Sequence, residues 1–97
     1  MTVEHIALIE PNEGVSEEEA QKVMDGISAL KGLVPGVLEV KIGKNFTDRA
    51  PHIKYAASIT LADKAALEAY GPHPAHQDLL KILMPIVKTI TIADIES

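Results

Sequence analysis

The order of secondary structure is decided by residues 16–43, which read SEEEAQKVMDGISALKGLVPGVLEVKIG. Ser16 and Glu19 have the spacing of a capping box, in which each residue satisfies a free backbone N–H at a helix start. Apolar residues then recur at helical spacing, namely Ala20, Val23, Met24, Ile27, Leu30 and Val34. Pro35 and Gly36 favour a turn. This stretch predicts an amphipathic helix that ends near residues 32–35 and leads directly into a strand.

Strands are predicted on both sides of this helix, because β-branched and apolar residues are frequent there and turn-forming residues bound each segment. The predicted strands are residues 2–9, 37–43, 55–61 and 89–95. In the second strand, Leu38, Val40 and Ile42 alternate with Glu39 and Lys41. This alternation is typical of a strand with one exposed face.

Two short helices are predicted between the third and fourth strands. Asp63 can cap the first of them, which ends at Gly71. Pro74 suits the first turn of the second helix, and an apolar stripe follows, formed by Leu79, Leu80, Leu83, Ile86 and Val87. Pro85 should end or kink this helix. The resulting order, βαββααβ, predicts an α+β ferredoxin-like domain with an antiparallel sheet and helices on one face.

Length and composition indicate one domain over residues 1–97 and exclude several classes of site. The chain has no cysteine, so it has neither disulfides nor a thiolate metal site. Its formal charge is -5 with scattered lysines, which argues against nucleic-acid binding. No basic leader or membrane-length apolar run is present, so we expect a cytoplasmic protein.

The predicted sheet has a second face that also needs a cover. Apolar sheet positions leave little polar surface, namely Val3, Ala7, Ile9, Ala57 and Ile59. We therefore predict a homodimer in which two sheets pack face to face.

Groups that bind or move protons near neutral pH are concentrated in Tyr70-Gly71-Pro72-His73-Pro74-Ala75-His76. A further imidazole, His5, lies within an apolar strand, where it needs a hydrogen bond. His76 could act as a general base, and Tyr70 could donate a hydrogen bond to a carbonyl or enolate oxygen. Each of these side chains could instead be structural, with Tyr70 packing a helix end and His73 capping the next helix.

The chain resembles the stress-responsive A/B barrel (Dabb) family. The resemblance covers nearly the whole chain and includes His5, Leu33-Val34-Pro35-Gly36-Val37, Gly43-Lys44-Asn45-Phe46 and His73-Pro74-Ala75-His76. It implies a dimeric α/β barrel made of two ferredoxin-like subunits. Fold alone does not define function in such a family.

The resemblance also implies a pocket chemistry, because a polyketide cyclase of this family has two histidines and a tyrosine where this chain has His5, His76 and Tyr70. Another pocket tyrosine of that cyclase is replaced by Ile27. The implied ligand site contains Ile27, His73, Leu79 and Leu83. The leading hypothesis is a homodimer that binds a small organic molecule. If it is an enzyme, the expected chemistry is that of a cofactor-free cyclase, isomerase or lyase, with His76 as the base and His5 and Tyr70 stabilising the enolate.

Three alternatives remain open from the sequence. The histidines could be structural in a non-catalytic, stress-responsive or ligand-binding dimer. A cofactor-free oxygenase is a further class, although no motif specifies oxygen chemistry. His73 and His76, joined by His5, could bind a metal, but we assign none, because no carboxylate cluster or HExxH motif supports one.

Overall fold

A computed structural model describes all 97 residues, Met1–Ser97. Its elements in chain order are β1 (Val3–Pro11), α1 (Glu17–Leu33), β2 (Val37–Lys44), β3 (Tyr55–Leu61), α2 (Lys64–Tyr70), α3 (Pro74–Leu83) and β4 (Val87–Glu96). The strands form one antiparallel sheet in the order β2-β3-β1-β4. The predicted α+β ferredoxin-like arrangement is confirmed. No helix combines the length and the apolar composition needed to cross a membrane.

The first two helices begin where the sequence predicts. The Ser16 hydroxyl accepts a hydrogen bond from the Glu19 N–H at 3.1 Å, and the Ser16 N–H donates to the Glu19 side chain at 3.3 Å. An Asp63 carboxylate oxygen accepts from the Ala66 N–H at 2.8 Å. These bonds satisfy N–H groups that have no partner within a helix, so both predicted caps are confirmed.

The helices cover one face of the sheet, and the hydrophobic core lies between the helices and that face. Directly opposite residues of antiparallel strands point to the same face, and His5 lies opposite both Ile59 and Asp94. The sheet side of the core consists of Val3, Ala7, Ile9, Val37, Ala57, Ile59 and Leu61. The helices contribute Val23, Ile27, Leu30, Tyr70, Leu79 and Leu83.

The apolar sheet residues from which a dimer was predicted do not lie on the face that is free to contact a partner. The five apolar positions that were expected to need a partner sheet are buried beneath this chain's own helices. The uncovered face instead carries the even-numbered residues of β1 and β3, which are half-buried: Glu4, Ile6, Leu8, Glu10, Ala56, Ser58 and Thr60.

Two local predictions are wrong. Leu38 is 50% exposed, because a register shift between Val37 and Glu39 removes it from the alternation and buries Val37 instead. The apolar stripe of α3 ends at Leu83, and Val87 is already the first residue of β4. Both errors arise because apolar identity alone does not reveal a bulge or a helix end.

The turn between α1 and β2 holds α2 in place. Gly36 has φ +89°, a conformation that favours glycine. A Cβ atom at this position would lie 2.7 Å from the Cβ of Ala66. The backbone therefore approaches α2 closely, and this approach helps fix the helix whose last residue is Tyr70.

Candidate functional site

His5 reaches the covered side of the sheet because of its strand parity. Its imidazole is 14% exposed and its Nδ1 lies 2.5 Å from the carboxylate of Asp94 on the neighbouring strand. A carboxylate only accepts hydrogen bonds when ionised, so Nδ1 carries the proton and donates to Asp94. This contact fixes the ring and leaves Nε2 free.

His76 is held by the break between α2 and α3. Its Nδ1 donates to the carbonyl oxygen of Gly71 at 2.8 Å, and the Gln77 amide donates to the same oxygen at 2.8 Å. A carbonyl has no proton to offer, so this bond places a proton on Nδ1, and the tautomer of the neutral ring is the Nδ1–H form. The other nitrogen, Nε2, is then unprotonated and can accept a proton.

The ring of Tyr70 contacts both imidazoles. Its centroid lies 4.4 Å from that of His76 in a tilted arrangement and 5.5 Å from that of His5 in an edge-to-face arrangement. Such separations are typical of packed aromatic pairs. The sequence left open whether His5 and His76 face the same side of the sheet; they do, with Tyr70 in contact with each.

Tyr70 is suited to donating a hydrogen bond. The residue is 3% exposed, and burial raises the pKa of its phenol to about 12. No protein group bonds its hydroxyl, yet no polar atom is fully buried without a partner. The hydroxyl therefore keeps accessible surface, carries its proton at neutral pH and is available to a bound molecule.

These three side chains line one end of a cavity between the sheet and the helices. The cavity has a volume of about 290 Å³, and 13 of its 16 lining residues are hydrophobic. Protein ligand sites are commonly apolar hollows with a few convergent polar groups. Besides His5, Tyr70 and His76, the lining includes the sequence-predicted Ile27, Leu79 and Leu83, together with Ala57, Leu67, Met84, Ile90 and Ile92.

His73 is not among the residues that line the cavity. Its Nδ1 instead accepts a hydrogen bond from the Ala75 N–H at 3.0 Å, which makes it the N-cap of α3. The structure therefore places His73 in the capping role that the residues left open, and not in the predicted ligand site. No three His, Asp or Glu side chains converge at any point in the structure in a way that could hold a metal ion.

Two site features were missed from the sequence. Asp94 was not identified as the partner of His5, from which it is 89 residues distant. The orienting carbonyl of Gly71 was also missed. Strand alternation was the available signal for Asp94, but it becomes useful only when the β1–β4 register is known.

The buried phenol predicts a loss of stability at alkaline pH. The unfolded chain loses the Tyr70 proton near pH 10, while the folded protein retains it to about pH 12. Between these values the unfolded state binds fewer protons, so the free energy of unfolding should fall as pH rises, by up to about 1.4 kcal/mol per unit. Below pH 10 this group should contribute no pH dependence.

Denaturant unfolding at several pH values measures this effect. Tyr70→Phe should remove the alkaline component, whereas Tyr55→Phe, a control at the chain's other tyrosine, should keep it. An unchanged alkaline slope in Tyr70→Phe would contradict the assignment.

The geometry defines a class of protein: a ferredoxin-like domain with an apolar cavity between its sheet and its helices and with polar groups at one end of that cavity. The chain belongs to the stress responsive A/B barrel domain family, whose model matches residues 3–97. An uncharacterised protein of Streptomyces coelicolor is 30% identical over 78 residues, which cover 77% of this chain and 79% of that protein.

Solved structures share the fold. A dimeric ferredoxin-like protein of unknown function from Jannaschia superimposes with a TM-score of 0.82 at 29% identity, covering 100% of both chains. The hydroxynitrile lyase of Passiflora edulis has a TM-score of 0.88 at 19% identity, covering 97% of this chain and 91% of that one. At 19% identity, the second likeness shows the fold alone.

Proposed function

We propose that this protein is a homodimer that binds a small organic carbonyl compound in the cavity of each subunit. There it transfers a proton beside the carbonyl group without a cofactor. The observation that carries this proposal is the fixed tautomer of His76, whose Nδ1–H donates to Gly71. This bond leaves a free imidazole nitrogen in a residue that lines the cavity beside the Tyr70 phenol.

His76 is the proposed base. A neutral imidazole is well matched to proton transfer, because one ring nitrogen can accept a proton and later return it. Its Nε2 takes a proton from the carbon next to the carbonyl group. The electrons of that C–H bond form the new C=C bond of an enolate, and the negative charge moves to the carbonyl oxygen.

Tyr70 and His5 are the proposed stabilisers of that oxygen. The raised pKa of Tyr70 keeps its proton in place, so the phenol donates a hydrogen bond to the developing enolate. Donors already aimed at the position where charge develops lower the barrier most. His5, whose Nδ1–H donates to Asp94, supplies a second donor at the same end of the cavity only as an imidazolium, because the neutral ring has no proton on Nε2.

The apolar lining supports an uncharged substrate. No lysine or arginine lines the cavity, so a carboxylate or phosphate placed there would lack a counterion and carry a large desolvation cost. The same low-polarity surroundings strengthen each hydrogen bond to the enolate. We infer a substrate with one or more carbonyl groups near the histidines and an apolar remainder along Ile90 and Leu83.

The fate of the enolate defines the reaction class. Protonation at another carbon gives an isomerisation, and attack on a second carbonyl of the same molecule gives an aldol cyclisation. Loss of a leaving group from the carbon β to the carbonyl, with formation of a C=C bond, gives a lyase reaction. All three begin with the same proton transfer.

Dimerisation is proposed on the uncovered face of the sheet. That face presents the half-buried Ile6 and Leu8 beside the polar Glu4. The Ser58 and Thr60 hydroxyls donate to Glu4 at 2.8 and 2.7 Å, and these bonds lower the pKa of its carboxyl group. A carboxylate with its hydrogen bonds already made is less costly to cover. The dimeric Jannaschia neighbour supports this assembly.

A larger side chain in the cavity tests whether a ligand occupies that space. Ala57 is 3% exposed on β3 and lines the cavity, so Ala57→Leu should place extra carbon atoms in the ligand space. We expect the protein to catalyse exchange of the α-protons of 2-octanone in D2O, followed by NMR. The Ala57→Leu variant should lower that rate by at least about tenfold, because the substrate no longer fits.

The matched control is Ala29→Leu, which makes the same change on the exposed surface of α1. It should keep the full exchange rate, and thermal unfolding should show that both variants fold. Failure of the wild-type protein to exceed the uncatalysed exchange of 2-octanone and of related ketones would contradict the proposed chemistry. A non-catalytic binding dimer would then become the better description.

A further inference from the structure

A second hollow lies next to the histidine end of the cavity. This recess has a volume of about 260 Å³ and is formed where α2 meets the end of β4. Its lining residues are Val3, Lys64, Leu67, Glu68, Asp94, Ile95 and Glu96. It therefore combines an apolar floor with a charged rim, unlike the cavity itself.

Two contacts connect the recess with the cavity. Leu67 is half-buried and lines both spaces. Asp94 lines the recess, and its carboxylate holds His5, which lines the cavity. The two spaces are thus separated by one leucine side chain and one hydrogen-bonded pair, at the end of the cavity where the proposed chemistry occurs.

The charge of the recess is unbalanced. Three carboxylates, those of Glu68, Asp94 and Glu96, face a single ammonium group, that of Lys64. Lys64 is already paired with Glu96 at 3.3 Å. The potential in the recess is therefore negative, and neighbouring protein surface screens it less than open water would.

We propose that the recess is the outer subsite of the ligand site and that it selects ligands by charge. A ligand whose carbonyl lies at His76 extends its polar arm past Leu67 into the recess. A cationic or neutral polar arm is accepted there, and an anionic arm is repelled. This inference rests on the proposed function, and it narrows the substrate class to carbonyl compounds that carry no anionic group on that arm.

The experiment uses three ketones that share one pentyl arm. The second arm, three carbons long, ends in a methyl ether, a trimethylammonium group or a carboxylate. Binding to the full-length protein is measured by isothermal titration calorimetry at low salt. We expect the trimethylammonium ketone to bind at least about tenfold more tightly than the carboxylate ketone. The difference should shrink at high salt because surface charges are screened.

Two charge variants test whether the carboxylates of the recess cause the preference for the trimethylammonium ketone. Glu68→Lys reverses one charge of the recess and should remove most of this preference. Glu18→Lys makes the same change on the exposed start of α1 and should keep the preference. Leu67→Ala, which removes the partition, should tighten binding of the trimethylammonium ketone.

Failure of the inference can be distinguished from failure of the proposed function. If the three ketones bind equally well and exchange of 2-octanone still depends on His76, the outer subsite is wrong and the cavity chemistry stands. A preference that persists in Glu68→Lys but disappears in Glu18→Lys would also overturn the inference. If none of the ketones binds and no exchange occurs, both proposals fail.

Discussion

Replacing His76 by alanine is expected to lower the rate of 2-octanone α-proton exchange by about 10²- to 10⁴-fold, the usual range for general acid–base catalysis. The reason is the loss of the Nε2 atom that accepts the proton. His5→Ala should lower the rate as well, and His5→Ala combined with His76→Ala should abolish exchange. Exchange is measured by NMR in D2O under identical conditions for each variant.

A second substitution separates catalysis from structure. His76→Asn keeps an N–H donor near the position of Nδ1, so the bond to Gly71 that orients the start of α3 can be retained. It should be as inactive as His76→Ala but more stable. The control is His52→Ala, a change at an exposed histidine of the β2–β3 connection, which should leave exchange unaffected.

Full exchange activity in the double alanine variant would eliminate the acid–base mechanism. A large loss of stability in both His76 variants, without any measurable wild-type exchange, would favour structural histidines. His73 provides a further contrast, because its side chain caps α3. Removing that cap should cost about 1 kcal/mol of stability and leave the exchange rate nearly unchanged.

Leu8→Glu is expected to convert the proposed dimer into monomers. Leu8 is half-buried on the face of the sheet that no helix covers. In a symmetric dimer each interface receives the substitution twice, and an unpaired buried carboxylate costs several kcal/mol. We therefore expect the dimer dissociation constant to rise by at least about 10³-fold, as measured by equilibrium sedimentation.

The matched control is Leu33→Glu, at a leucine that is 58% exposed at the end of α1. This variant should remain dimeric. Because the cavity lies between this chain's own sheet and helices, on the opposite side of the sheet from Leu8, a folded Leu8→Glu monomer should keep its exchange activity. A monomeric wild-type protein, or a Leu8→Glu variant that stays dimeric, would remove the proposed interface.

Local signals in the sequence accounted for most of the fold. The structure contains the hydrogen bonds of both predicted caps, Ser16–Glu19 and Asp63–Ala66. Such caps can be predicted from the sequence because their two residues are only three positions apart. The misassigned residues are Leu38, which lies at a bulge, and Val87, which is the first residue of a strand. At both places, pairing with a strand that is distant in sequence overrides the structure that the local sequence pattern favours.

The candidate site was only partly accessible from the sequence. The proton-transfer groups His5, Tyr70 and His76 could be named from their chemistry and family resemblance, but their roles stay predictions. Their common cavity could not be derived, because both faces of β1 combine apolar residues with polar ones, His5 on one face and Glu4 and Glu10 on the other. Polarity gives no preference between such faces.

By itself, the sequence determined the order of strands and helices, the helix caps and the inventory of proton-transfer groups, since these depend on neighbours a few residues apart. Only the tertiary structure decided that His5 points toward the helices and that Asp94 holds it. It also decided that Leu67 separates a cavity from a charged recess. These features require a particular strand register and helix position, which are set by packing across the whole sheet and not by any local pattern.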